Sequence, residues 1–160
     1  MTAERVFVGL GANLGDASAT LRQALLQLAA LPHTELLGSS PLYRSAPVQA
    51  RGPDFVNAVA ELRSALEPLA LLRALQAIED QHGRERPYHH APRTLDLDLL
   101  LVGQRVVDSV DLQLPHPRLH ERAFVLLPLL ALAPDVQHPV LGRLQDRLAG
   151  VQHQVIERLL

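Results

Sequence analysis

Apolar residues fall along this chain in two alternating rhythms, one of period two and one near 3.6. Residues 5–10 form a β-rich apolar run ending among Gly9, Gly11 and Gly15, which predicts a strand entering a turn. Asp16 is placed to cap a helix in which Leu21, Leu25, Leu28 and Leu31 recur at helical spacing before Pro32 stops it. Residues 35–43 predict a second strand, and residues 44–53, with Pro47, Gly52 and Pro53, a loop. Phe55, Asn57, Val59 and Glu61 then alternate with Val56, Ala58, Ala60 and Leu62, a strand period. Pro68 suits the first turn of a helix to about residue 81, with Leu71, Leu72, Leu75 and Ile78 inward and Gly83 as its stop. After a polar stretch at 84–93, residues 94–102 predict a strand, Gly103-Gln104 a hairpin tip and residues 105–107 its return. A helix over 119–132 and a short helix and strand complete the pattern. The order β-α-β-β-α-β with additions predicts an α+β, ferredoxin-like sandwich with a mainly antiparallel sheet, as a single domain over residues 1–160.

Composition narrows this reading. The apolar share is 48% but aromatic residues make up only 3%, so the core must be built from Leu, Val and Ala. A formal net charge of -2 supplies no global field for nucleic acid or an anionic membrane, so any polyanion must be gripped locally. The absence of cysteine excludes disulfides, thiolate zinc sites and a cysteine nucleophile, and fits a reducing cytosol. The N-terminus leads into a strand-like run rather than a signal peptide, and the apolar stretch 124–133 is short and broken by Pro128. The expectation is a soluble, cytoplasmic protein without nucleic-acid or membrane partners.

The sharpest chemical signal is Arg93-Thr94-Leu95-Asp96-Leu97-Asp98-Leu99. On a strand, Asp96 and Asp98 share one face and the leucines the other, with the carboxylates about 7 Å apart. That spacing suits hard cations, and magnesium commonly bridges such carboxylates to substrate phosphates. Taken alone, an Asp-x-Asp pair more often solvates the outer face of a half-buried strand, although aspartate is disfavoured in strands. Immediately before it, Arg84, Arg86 and Arg93 flank His89 and His90. Guanidinium forks match phosphate oxygens, and arginines beside an acidic metal site point to phosphoryl-type transfer. Adjacent histidines without cysteine make a poor zinc site. Gly9, Gly11 and Gly15 lack the Gly-Lys-Ser/Thr ending of a phosphate loop and fit a tight turn as well. Asn57 reads first as a buried amide paired to backbone and only second as a ligand contact, and Phe55 and Phe124 as core before contacts to a flat heterocycle, whereas His116 reads equally as a phosphate contact or a turn cap.

Together these pieces resemble the 6-hydroxymethyl-7,8-dihydropterin pyrophosphokinase family (2-amino-4-hydroxy-6-hydroxymethyldihydropteridine diphosphokinase). The resemblance rests on Gly11-Ala12-Asn13-Leu14-Gly15-Asp16, Tyr43-Arg44-Ser45-Ala46-Pro47, Asp54-Phe55-Val56-Asn57-Ala58, Ile78-Glu79 with Gly83-Arg84, Ala91-Pro92-Arg93-Thr94-Leu95-Asp96-Leu97-Asp98, and Leu114-Pro115-His116-Pro117-Arg118. It implies transfer of pyrophosphate from ATP to the pterin hydroxymethyl group in folate synthesis, giving AMP. It further implies that Asp96 and Asp98 bind two magnesium ions and that Arg84 and Arg93 stabilise the transferring phosphates. Leu72, Gln76, Arg86, His116 and Arg122 would serve ATP, with Glu79 helping to hold that side. Ser45, Ala46, Val48 and Asn57 would recognise the pterin beside Asp96, with Phe55 and Phe124 sandwiching its ring. The sequence departs from the family pattern at His89-His90-Ala91, where Arg-Trp-Gly is common, at Pro117 and at Phe55, both often tyrosine. The implied partners are small molecules only, and the chain is expected to be a monomer.

Two rival readings follow from the same residues. A different magnesium-dependent nucleotidyl or phosphoryl transferase would turn over other acceptors. A non-catalytic ferredoxin-like ligand-binding domain would have no need of both arginines and aspartates at one place.

Overall fold

A computed structural model of the chain describes residues 2–13, 15–46, 54–83 and 95–159. Strands β1 (Glu4–Ala12), β2 (Thr34–Ser39), β3 (Tyr43–Ser45), β4 (Phe55–Ser64) and β5 (Asp96–Val102) build the main sheet with helices α1 (Ala17–Ala29) and α2 (Pro68–Gly83). Strands β6 (Val107–Asp108) and β7 (Gln113–Leu114) pair with each other, followed by α3 (Ala123–Leu132) and the β8–β9 pair (Gln137–His138, Gly142–Arg143). A 3-10 helix (Leu144–Val151) and β10 (Ile156–Arg158) follow. The sheet runs β10-β3-β4-β1-β5, with β2 also on β4, and every pairing in it is antiparallel. With β2 and β3 together as one broken strand, this is the ferredoxin-like order expected from the sequence.

Alternation explains the layers. Val6, Val8 and Leu10 of β1, Ala58, Ala60 and Leu62 of β4, and Leu97 and Leu99 of β5 form one apolar face. Leu21, Ala24 and Leu28 of α1 and Leu71, Leu75 and Ile78 of α2 bury against it. Each such leucine contributes about 1.5–3 kcal/mol on burial. Asp16 begins α1 as read from sequence, its Oδ1 accepting the Ala19 N–H at 3.1 Å. The second face carries Phe7, Val59 and Leu101, covered by α3 and the 3-10 helix through Leu126, Leu129, Leu144 and Val151. A register irregularity between Phe7 and Val8 lets Leu100 and Leu101 both join this core. At the other end of the second face lie Gly9, Gly11, Asn57, Asp96 and Asp98.

Four boundaries differ from the sequence reading. The strand expected over 35–43 breaks at Ser40-Pro41-Leu42: Ser40 exchanges hydrogen bonds with Val59 through its N–H and its Oγ, and proline has no N–H to continue a ladder. Arg44 and Ser45 therefore belong to β3 rather than to a loop. The return expected at 105–107 does not pair with β5; Arg105 turns to Glu4 (Nε–Oε1, 2.8 Å), and Val107 pairs with Leu114 instead. The helix expected from residue 119 starts at Ala123, because residues 116–121 are held in turns by His116 and Arg118 carbonyls.

Candidate active site

Two adjoining cavities meet at the β5 edge of the sheet, the first on the polar end of the second face and the second beside α2. The first, about 280 Å³, is lined by Ser45 and Ala46 of the β3 edge, Phe55 and Asn57 of β4, Gly9 and Gly11 of β1, and Asp96 and Asp98 of β5. Arg118, Arg122 and Phe124 close it from the α3 side. The second, about 400 Å³, is lined by Leu72 of α2, Asp98 with Leu97 and Leu99 of β5, residues 110–113, His116 and Pro117. Asp98 lines both.

Strand register sets this floor. Asn57, Gly11 and Asp96 face one another across three strands, and so do Val59, Gly9 and Asp98. Asn57 and Asp96 thus stand roughly 10 Å apart with bare backbone between them. A Cβ on Gly11 would meet Asn57 Oδ1 at 3.3 Å and Phe55 Cδ1 at 3.7 Å, so the glycine leaves room that a side chain would fill.

Several side chains are held by neighbours that the sequence reading did not connect. Asn57 is 3% exposed, and its Nδ2 donates to Ser45 Oγ at 2.7 Å. That bond fixes the carboxamide with Oδ1 on the glycine side, so the buried amide is both paired and turned toward the cavity. Glu79 on α2 accepts the Leu97 N–H through Oε2 at 2.8 Å. Leu97 lies between the two aspartates on an edge strand, and this carboxylate holds the pleat that keeps Asp96 and Asp98 on one face. Gln154 grips both sides of Arg122: Oε1 accepts the Ala123 N–H at 2.8 Å and Nε2 donates to the Glu121 carbonyl at 2.7 Å. Arg122 itself has no capping side chain and lies with its guanidinium 5.5 Å from the Phe124 ring centre.

The electrostatics are mixed by design of the elements, two carboxylates facing two guanidinium groups across the first cavity. Burial depresses the His116 pKa; Asp98 opposes that shift, while Arg122 and Arg118 add to it. His116 Nδ1 accepts the Arg118 N–H at 3.2 Å. Asp96 and Asp98 offer hard oxygen donors, and no group of three or more acidic or histidine side chains that could hold a metal occurs among the described residues. Two carboxylates fit an ion such as magnesium that completes its shell with water and substrate phosphates.

The family model for 7,8-dihydro-6-hydroxymethylpterin-pyrophosphokinase matches residues 7–134. The chain belongs to this family. It is similar to the 2-amino-4-hydroxy-6-hydroxymethyldihydropteridine pyrophosphokinase of Pseudomonas aeruginosa, with 47% identity over 98% of this chain and 97% of that protein. The corresponding Haemophilus influenzae protein is 40% identical over 83% of this chain and 84% of its own length. A solved structure of Plasmodium falciparum HPPK-DHPS shares the fold, with a TM-score of 0.75 and 14% identity over 92% of this chain. The chain spans 45% of that solved chain.

Ser45, Ala46, Phe55, Asn57, Asp96, Asp98, Arg122 and Phe124 come together at the first cavity, and Leu72 and His116 at the second. Gln76 lines neither; it sits exposed on α2, its Oε1 accepting from Arg73 Nη1 at 3.0 Å. Val48, Arg84, Arg86 and Arg93, with His89 and His90, lie outside the described residues. Arg118 and Gln154 were given no role from sequence. Arg118 ends the Leu114-Pro115-His116-Pro117-Arg118 motif, and its position four residues before Arg122 was a usable signal; nothing local marked Gln154.

Proposed function

We propose that this pyrophosphokinase transfers the β,γ-diphosphoryl group of ATP to the hydroxymethyl oxygen of 6-hydroxymethyl-7,8-dihydropterin, in folate biosynthesis. One observation carries the reading. The acidic pair Asp96 and Asp98 shares a cavity with a carboxamide, two phenylalanines and two arginines, and Asp98 also borders the adjoining cavity.

The flat ring lies in the first cavity between Phe55 and Phe124, where Asn57 Oδ1 accepts from a ring N–H and Ser45 holds that amide in place. ATP occupies the second cavity beside Leu72 and His116, with its phosphates running toward Asp98. The hydroxymethyl oxygen bonds to the β-phosphorus, the bond from that phosphorus to the α–β bridging oxygen breaks, and AMP leaves with the bridging oxygen. The hydroxyl proton passes to a carboxylate oxygen of Asp98 and then to solvent. Two magnesium ions held by Asp96 and Asp98 would supply charge neutralisation at the phosphates. Arg122 offsets further negative charge, as do Arg84, Arg86 and Arg93 of the segment outside the described residues. Positioning and charge do most of the work because phosphoryl-type transfer asks for little covalent chemistry from the protein.

The unit acts as one domain over residues 1–160, as a cytoplasmic monomer. In support, the exposed large apolar side chains Leu26, Leu37, Leu69, Val106, Val110, Val140 and Val155 are spread over different elements and loops. No helix among the described residues is long and apolar enough to cross a membrane.

The test is AMP release from ATP, magnesium and the dihydropterin. Asp96→Asn and Asp98→Asn are each expected to lower kcat by roughly 100-fold or more, with circular dichroism unchanged. Wild-type rates in both variants would refute the assignment.

A further inference from the structure

Arg118 lines the first cavity and not the second. Its side chain is exposed and makes no ion pair among the described residues. Its main chain, in contrast, is anchored. The N–H donates to His116 Nδ1 at 3.2 Å, and the next residue, Leu119, is fully buried, its N–H donating to the His116 carbonyl at 3.3 Å. A fixed base with an uncommitted guanidinium at a cavity rim is suited to a ligand anion, whose oxygens match the fork. The charge of Arg118 also reaches across to His116, where it acts in the same sense as Arg122 and against Asp98.

The division between the cavities identifies the anion. His116 and Leu72 border the nucleotide side, Asn57 and the two phenylalanines border the acceptor side, and Asp98 belongs to both. Arg118 stands on the acceptor side. Before the reaction the acceptor is an uncharged alcohol; afterwards it carries a diphosphate. The α-phosphate leaves with AMP on the other side of Asp98. We infer that Arg118 binds the diphosphoryl group once it is on the pterin oxygen, and so sets the preference of the acceptor cavity for diphosphorylated over unphosphorylated pterin. The assignment rests on the reading of the reaction given above.

Calorimetric titration with magnesium of the pterin alcohol, its diphosphate and AMP tests it in wild type, Arg118→Ala and Arg118→Lys. Arg118→Ala should weaken the diphosphate about 10-fold or more, and leave the alcohol and AMP at wild-type affinity. Arg118→Lys should recover part of the loss, as a point charge without the fork. Unchanged diphosphate affinity in Arg118→Ala, or equal weakening of all three ligands, overturns the inference. A wild-type protein that neither binds the alcohol nor releases AMP from ATP in its presence overturns the reaction itself instead.

Discussion

Glu79 has its consequence at the level of a single side chain. Its carboxylate holds the one backbone amide between Asp96 and Asp98, so removing it should let the edge strand shift without deleting any group that meets substrate. Glu79→Ala is expected to lower kcat/KM by about 10–100-fold, the usual cost of losing a group that orients a ligand. Glu79→Gln, which retains a carbonyl acceptor, should keep most activity, and pterin affinity should stay put in both. Activity of Glu79→Ala within twofold of wild type would contradict the positioning role. The sequence made Asp96 and Asp98 legible because a period of two is local. The partner of Glu79 was not legible, since which amide it meets depends on how α2 packs beside the strand. Asn57, read from sequence first as a paired buried amide, is buried and paired to Ser45, and it also lines the first cavity.

Among the elements, α3 illustrates how a strong signal can mislead at its boundary. Its apolar run was plain, and Pro128 sits inside it, yet the start fell four residues later than the periodicity placed it. The first amide is satisfied by Gln154, far away in sequence, rather than by a capping residue at position 122. Two hydrogen bonds on either side of Arg122, each worth about 0.5–1.5 kcal/mol, tie the helix start to the cavity wall. Gln154→Ala should therefore cut kcat/KM for ATP roughly 5- to 10-fold, in line with that loss, with the melting temperature lowered by several degrees but still well above the assay temperature. Gln154→Glu, which retains the acceptor for Ala123 but not the donor for Glu121, should fall between. Steady-state kinetics alongside thermal denaturation decides it; a fall in melting temperature that accounts for the lost activity would argue against a local effect. The break between β2 and β3 escaped the hydrophobic pattern for a related reason. Ser40 satisfies Val59 at a point where a ladder residue would have done so.

For the molecule as a whole, the sheet is a partition: one face is covered mainly by α1 and α2, and the other is shared between α3 and the first cavity. That division was readable from alternation alone, whereas the small pairs β6–β7 and β8–β9 were too short to leave a period. The β8–β9 pair bears on overall stability. His138 is buried, and its Nδ1 accepts N–H groups from Val140 at 3.1 Å and Leu141 at 3.0 Å, which fixes the proton on Nε2. Burial, then the nearby His120 and Arg147, depresses its pKa. The unfolded chain thus binds this proton at a higher pH than the folded one. The stabilisation is full above the ordinary histidine value of about 6.5 and is lost as pH falls below it. The urea midpoint should drop between about pH 7 and pH 5, and His138→Asn, whose Oδ1 can take the same amides, should flatten that drop. Identical slopes in both proteins would rule His138 out as the source.

The match to the family model ends at residue 134, but the supports of the first cavity do not. Strand β10 flanks Ser45 through its pairing with β3, and Gln154 braces Arg122. A fragment trimmed to the matched stretch would carry every acidic and aromatic side chain that lines the first cavity and yet lack the buttress of two of its walls, so it is expected to be less competent than the longer chain.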